Sequence, residues 1–205
     1  MSLKLVWLSL WYYTLSALGV SLTIKAGIGV SSFNSFNVAL SESSRITIGV
    51  ITTGINLLFL LVCLLLDQKR SWRNYFLMVL SLFGFGYVIN FFTYTVLSQL
   101  AIHSYVFAFL MFILGTSLAG YGVGHVIAYG VLQFPIEKAC QLLEARTRFS
   151  FSFYRYGVDF LSILGSVAIS VYFHFPLFVR EGTIVSFFLL SFVIARSQNR
   201  VLMRK

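Results

Sequence analysis

Leu18-Gly19-Val20-Ser21-Leu22 is followed by a break at Gly27 and Gly29, then by Phe33-Asn34-Ser35-Phe36-Asn37-Val38-Ala39-Leu40. A polar turn at Ser43-Ser44-Arg45 leads into an apolar run carrying Gly54-Ile55-Asn56-Leu57-Leu58. The same order of marks returns later: Leu114-Gly115-Thr116-Ser117-Leu118, glycines at Gly120, Gly122 and Gly124, Phe134-Pro135-Ile136-Glu137-Lys138-Ala139, a basic turn at Arg146 to Arg148, and Gly157-Val158-Asp159-Phe160-Leu161. The spacing drifts from Gly19/Gly115 through Phe33/Phe134 to Asn56/Asp159, as insertions in a second copy would produce. An internal duplication of this kind, with each copy interrupted by a glycine break, is a common plan among membrane carriers.

Working outward from the repeat, the composition excludes a water-soluble domain. Charged residues make up 10% of the chain and aromatic residues 18%, with a mean hydropathy of +0.89. That is too little charge to cover the surface of a soluble domain. Apolar stretches near membrane-spanning length recur from end to end, which predicts an all-α polytopic membrane protein. The formal charge of +9 lies between apolar runs, where it orients a chain in a bilayer rather than binding nucleic acid. Lys4 followed by about twenty apolar residues is read as a retained helix, since no small-x-small cleavage pattern follows. Cys63 and Cys140 stand alone and form no metal or disulfide pattern.

In chain order the expected spanning helices are about Leu5–Ile24, Ile46–Leu66, Tyr75–Leu97, Ser104–Val123 and Phe151–Phe173, with a last apolar run of about Gly182–Ala195 that is short for a crossing. Residues 31–43 and a segment within 124–148 are too short and polar to span, and are expected as short broken or re-entrant helices. The chain is thus one membrane domain over 1–205, with repeat 1 at about 5–99 and repeat 2 at about 104–200. With both termini inside, the inner loops and tails hold Lys4, Lys69, Arg70, Arg73, Lys138, Arg146, Arg148, Arg196, Arg200, Arg204 and Lys205. The outer side keeps Lys25, Arg45 and Arg180, a clear positive-inside bias. Three crossings per repeat, an odd number, make the two copies inverted.

Residues Gly19 to Ser41 resemble the YczE/YitT-type bacterial integral membrane proteins, with a Gly-rich helix end, a turn and a short helix. Ser32, Phe33 and Asn34 stand where that family usually has Pro, Trp and Asp, whereas the second copy keeps Pro135 and an acid, Glu137. Gly157-Val158-Asp159 resembles its acidic position, and Gly182-Thr183 its start of the last helix. The resemblance implies a six-helix protein of the bacterial plasma membrane, without fixing an activity.

Asp159 is the sharpest functional candidate, because a carboxylate in a spanning segment is costly and normally faces a cavity or a partner. Arg155, one turn earlier, is that partner by spacing. Asn56 is the repeat mate of Asp159. Asn34, Asn37, Glu137 and Lys138 follow the breaks, where helix N-termini project partial positive charge, which suits an anionic group. Thr52, Thr53 and Asn90 are read as packing groups, and His103, His125 and His174 have no metal spacing. Nothing matches a nucleophile elbow, a His-Glu-x-x-His or a nucleotide loop, so neither an enzyme nor a cofactor is expected. The expected function is a small secondary transporter or exporter of a small solute. The alternative is an accessory or substrate-binding subunit of a larger assembly, with the bilayer, a second copy or another membrane protein as partner. Cysteine labelling is expected to reach positions near Ser44 and His103 from outside the cell, and positions near Lys69 and Arg146 from inside. Opposite sidedness at any two of these rejects the six-crossing layout.

Overall fold

The computed structural model describes residues 3–68, 71–130, 132 and 134–203; Lys69, Arg70, Arg204 and Lys205, assigned above to inner loops and tail, lie outside the described residues. The chain is all helical: α1 (Leu3–Ala26), α2 (Ser32–Ser44), α3 (Ile48–Leu66), α4 (Trp72–Asn90) continued by a π-helical turn (Phe91–Val96), α5 (Tyr105–Tyr129), α6 (Pro135–Glu144), α7 (Phe151–Tyr172) and α8 (Glu181–Leu202). Four stretches are long and apolar enough to cross a membrane: Lys4–Ala26, Ile48–Leu66, Trp72–Val96 and Tyr105–Tyr129. Helices α7 and α8 have 22 residues each, about 33 Å at 1.5 Å per residue, but carry more polar side chains. Leu58, Leu65, Phe76, Leu80, Phe83, Leu110, Phe160 and Phe188 all point outward, more than half exposed. Such an apolar exterior is compatible with lipid and not with water. The protein is a multi-pass membrane protein.

The centre of the bundle is the crossing of α1 and α5. A Cβ built on Gly115 would lie 2.8 Å from the Gly19 carbonyl oxygen, and one on Gly122 would lie 2.5 Å from that of Tyr12. Gly19 in turn faces the backbone of Gly115 and Ala119. In a bilayer, where apolar burial gives little drive between helices, such backbone contact is a main source of association. Helix α8 lies on the other side of α5, with Gly120 against Val193 and Leu190, and Gly124 against Ser197 and Ile194. Helix α4 packs on α1 and α3, and here Gly86 meets Gly49 and Thr53. The Asn90 amide ties the same corner, accepting from Gly49 N (2.8 Å) and donating to Thr47 Oγ1 (2.9 Å).

The first break falls where the sequence places it. Gly27 (φ 69°) and Gly29 (φ 114°) both hold backbone conformations that disfavour other residues. The freed Ile28 carbonyl accepts from Gly182 N at 2.9 Å, so the break is latched to the start of α8. The second break differs from expectation. Gly120, Gly122 and Gly124 do not interrupt α5, which continues to Tyr129 and ends at Gly130 in the left-handed conformation (φ 66°). Those three glycines are packing surface instead, and glycine is tolerated inside a helix wherever a neighbouring backbone must approach. The last helix is also longer than the apolar run suggests. It continues through Arg196 and Arg200 because Ser197, 3% exposed, is buried against Gly120 and Gly124.

Both short helices are inside the bundle. Helix α2 buries Ser35, Asn37, Val38 and Ala39, and α6 buries Pro135, Ile136, Ala139 and Cys140. Each packs chiefly on a long helix from the other half of the chain, α2 on α7 and α6 on α3. Replacing Gly19 or Gly115 by Val is expected to lower stability by about 1–3 kcal/mol through overpacking. Ala at Gly54 or Gly84, where a Cβ meets nothing within 4 Å, is expected to be neutral or slightly stabilising. Thermal unfolding in detergent checks both.

Candidate functional site

The short helices bring polar residues to the bundle interior because each ends a break and starts beneath the opposite half. Around the centre is a cavity of about 110 Å³. Its polar border comes from α2 (Asn34), α3 (Thr52, Asn56), α6 (Glu137), α7 (Arg155), α5 (Thr116) and α8 (Ser186), with Phe33, Phe85 and Phe134 as aromatic walls. A second, larger space of about 530 Å³ lies between α7 and α8 and is bordered by Glu137, Gln141, Glu144, Arg155, Asp159 and Gln198. Ser31, Glu137, Arg155, Ser186, Leu190 and Ile194 border both, so the two spaces adjoin. Among the described residues α7 and α8 scarcely touch, and Tyr156 stacked on Phe187 (5.5 Å between centroids) bridges the gap.

Glu137, Arg155 and Asp159 form a triad at the junction. Arg155 Nη1 donates to Asp159 Oδ1 at 2.9 Å, and Arg155 Nε stands 3.9 Å from Glu137 Oε1. Glu137 Oε2 is buried with no hydrogen-bond partner. Burial pushes the Glu137 carboxyl above its ordinary range, opposed by the Arg155 charge. The pairing of Arg155 with Asp159, one turn apart on α7, is what their spacing predicts. The approach of Glu137 from α6 is a tertiary contact.

Of the residues singled out above, Asn34, Asn56, Glu137 and Arg155 meet at the central cavity, and Asp159 joins them through the triad. Two do not reach it. Asn37 lies wholly buried behind the cavity wall and donates from Nδ2 to Thr52 Oγ1 at 3.1 Å. Lys138 turns to the far side of α6, 3.5 Å from Asp67 Oδ2 and 4.0 Å above the Tyr75 ring. Lys138 is rotated about 100° from Glu137 around α6, and Asp67 and Tyr75 hold it on that side. Asn56 uses its amide nitrogen locally, donating to Thr52 O at 2.8 Å. Thr53 and Asn90 serve packing, whereas Thr52, read above as a packing group, borders the cavity. Sequence reasoning missed Thr116 and Ser186, which sit on apolar helices like many packing hydroxyls. The mark that singles out Thr116 is the residue beside it, Gly115, which the expected repeat aligns with Gly19. His125 stacks on Tyr12 (4.1 Å) and bonds Tyr121 O through Nδ1. Among the described residues no three His, Cys, Asp or Glu side chains gather as a metal site.

The family described as "Family of unknown function (DUF6198)" matches residues 4–199, and the chain belongs to that family. The chain is also similar to the "Uncharacterized membrane protein YczE" of Bacillus subtilis (strain 168), 28% identical over 156 residues. That match covers 72% of this chain and 66% of the relative, just under two thirds of its length. The YczE-type resemblance of the sequence therefore holds. No solved structure matches the chain.

Removing Arg155 alone strands two carboxylates in the interior. Arg155→Met is expected to destabilise by about 3–5 kcal/mol, and the double change Arg155→Met, Asp159→Leu by clearly less. Unfolding temperatures of the purified variants measure the difference. Equal loss in both would show that the pair carries no electrostatic coupling.

Proposed function

Taking the membrane family as premise, we propose that this chain is a small secondary transporter or exporter. Six helices, α1, α3, α4, α5, α7 and α8, cross the plasma membrane as two inverted three-helix halves, and a solute binds between them. The observation that carries this reading is the central cavity, because its polar wall is built from residues of both halves. Asn34 and Asn56 come from the first half, and Glu137 and Arg155, with Asp159 behind, from the second.

Three further features support it. Gly19 and Gly115, matched marks of the repeat, pack on each other at the α1/α5 crossing, as residues near a two-fold axis must. The short helices are held reciprocally: Ser166 Oγ donates to Ser35 O at 3.0 Å, and Cys63 Sγ donates to Pro135 O at 3.3 Å. Cys63 and Ser166 occupy the same place in their helices relative to Gly54 and Gly157. The halves also differ in one place. In the first, α3 and α4 close on each other through Gly49 and Gly86; in the second, α7 and α8 stand apart around the vestibule. An inverted pair with one gap closed and its mate open is the arrangement expected of a carrier caught facing one side. The vestibule lies toward the N-terminus of α7 and the C-terminus of α8, the ends that the basic residues assign to the cell interior.

Purified protein in liposomes, screened by solid-supported-membrane current against a panel of small solutes, is expected to give a saturable response to at least one of them. Asp159→Asn is expected to remove that response while leaving the amount and unfolding temperature of the protein nearly unchanged. Silence of the protein alone, with activity recovered only in a larger complex, would favour an accessory subunit instead.

A further inference from the structure

Among the described residues, the charges along the passage do not balance. Glu137 and Asp159 share one guanidinium, that of Arg155. The adjacent Lys138 cannot supply the missing cation, since it is committed to Asp67 and Tyr75 on the other face of α6. Farther out, Glu144 adds another carboxylate, and its Oε1 accepts from Phe151 N at 2.8 Å. The deficit is local to the junction, where Glu137 Oε2 is buried without a partner. A second orphan lies on the same cavity wall: Thr116 is 2% exposed and its Oγ1 has no hydrogen-bond partner. The rest of the lining mixes hydroxyls (Ser16, Thr23, Ser31) with apolar side chains, among them the rings of Phe33, Phe85 and Phe134.

These features select among ligand chemistries. An anion would meet the excess carboxylate with the one guanidinium already engaged. A neutral apolar solute would leave the Glu137 oxygen unpaired at the cost of an unsatisfied buried acceptor. A divalent metal would need several hard oxygen or imidazole ligands, and among the described residues no three His, Cys, Asp or Glu side chains gather closely enough to hold one. A protonated primary amine meets both acceptor atoms. It carries three N–H donors and no acceptor, which suits Glu137 Oε2 and Thr116 Oγ1, and its charge is favoured near aromatic rings. The central volume of about 110 Å³ admits an ammonium head with a short alkyl tail, and the adjoining vestibule of about 530 Å³ leaves room for a larger body.

We propose that the central cavity receives the ammonium head of a small organic cation, with Glu137 as the accepting carboxylate and Thr116 as the second polar contact. This names the substrate class of the transport site and rests on that reading for its biological meaning, although binding is measurable without transport.

The test uses three probes of the same size and different charge, n-butylammonium, n-butanol and butyrate, on the full chain in detergent at constant ionic strength. Unfolding temperature and titration calorimetry are read together. Butylammonium is expected to bind saturably and raise the unfolding temperature, as any ligand of the folded state must; the neutral and anionic isosteres are not. Glu137→Gln is expected to weaken butylammonium binding by at least about tenfold, the loss of one charge-assisted contact. Thr116→Val, which keeps shape and removes the hydroxyl, is expected to weaken it by a smaller factor. Comparison of the isosteres on the unaltered chain stands even if a variant fails to fold. Butyrate binding as tightly as butylammonium overturns the proposal. So does absence of butylammonium binding, or binding unchanged in both variants. Binding of the amine without flux in liposomes would overturn the transport reading and leave the ligand class standing. Saturable flux of an anion would do the reverse.

Discussion

The contact on which the rest of the molecule depends is the backbone-to-backbone crossing of α1 and α5 at Gly19 and Gly115. Lipid is as apolar as the side chains it would replace, so helices gain little from hiding leucines from it. Close van der Waals contact and interhelical hydrogen bonds have to hold them together. At this crossing the carbonyl of Gly19 sits where a Cβ of residue 115 would otherwise be. No larger residue fits without pushing the two halves apart. Because α5 also carries α8 through Gly120 and Gly124, and α1 carries α4, one crossing sets the relative position of four long helices.

From that frame follows the placement of the polar chemistry. Irregular backbone at membrane depth survives only where protein or a wet cavity satisfies its hydrogen bonds. The Gly27/Gly29 break has its carbonyls satisfied by protein: Gly182 N donates to Ile28 O, and the exposed Arg180 guanidinium donates to Gly27 O at 2.8 Å. Helices α2 and α6 then lie over α7 and α3, so each half completes the interior of the other. Cys63 and Ser166, both small and both donors, fill the same role at these two contacts. A cavity between interlocked halves is bordered by both of them, and a solute there touches each.

The triad carries an electrostatic cost. Two carboxylates around one arginine in a low-dielectric interior cost desolvation that a single pair only partly offsets. The protein keeps one strong contact, Arg155 to Asp159 at 2.9 Å, and one loose one, Arg155 to Glu137 at 3.9 Å. The loosely held carboxylate is the one bordering the central cavity.

How much of this was legible beforehand divides along a physical line. Periodic apolar runs, the scarcity of charge, the two short polar helices and the Arg155–Asp159 spacing are local properties. The sequence alone determined an all-helical membrane protein, the approximate helices and the candidate polar residues. Local pattern could not tell a glycine that breaks a helix from one that admits a neighbour, because both lack a Cβ for different reasons. Gly27, Gly29 and Gly130 take positive φ, whereas Gly120, Gly122 and Gly124 are helical and face α1 or α8. Nor could it show where α8 stops, since its polar C-terminal part is helical through the burial of Ser197. Which residues share the cavity was likewise a tertiary decision. Asn37 and Lys138 have the same kind of sequence neighbourhood as Asn34 and Glu137, yet helical rotation turns the first pair toward Thr52 and Asp67 and the second toward the centre. A side chain's direction depends on how its helix is rolled against its neighbours, and that roll is set by contacts distant in the chain, among them Ser35 with Ser166 and Cys63 with Pro135.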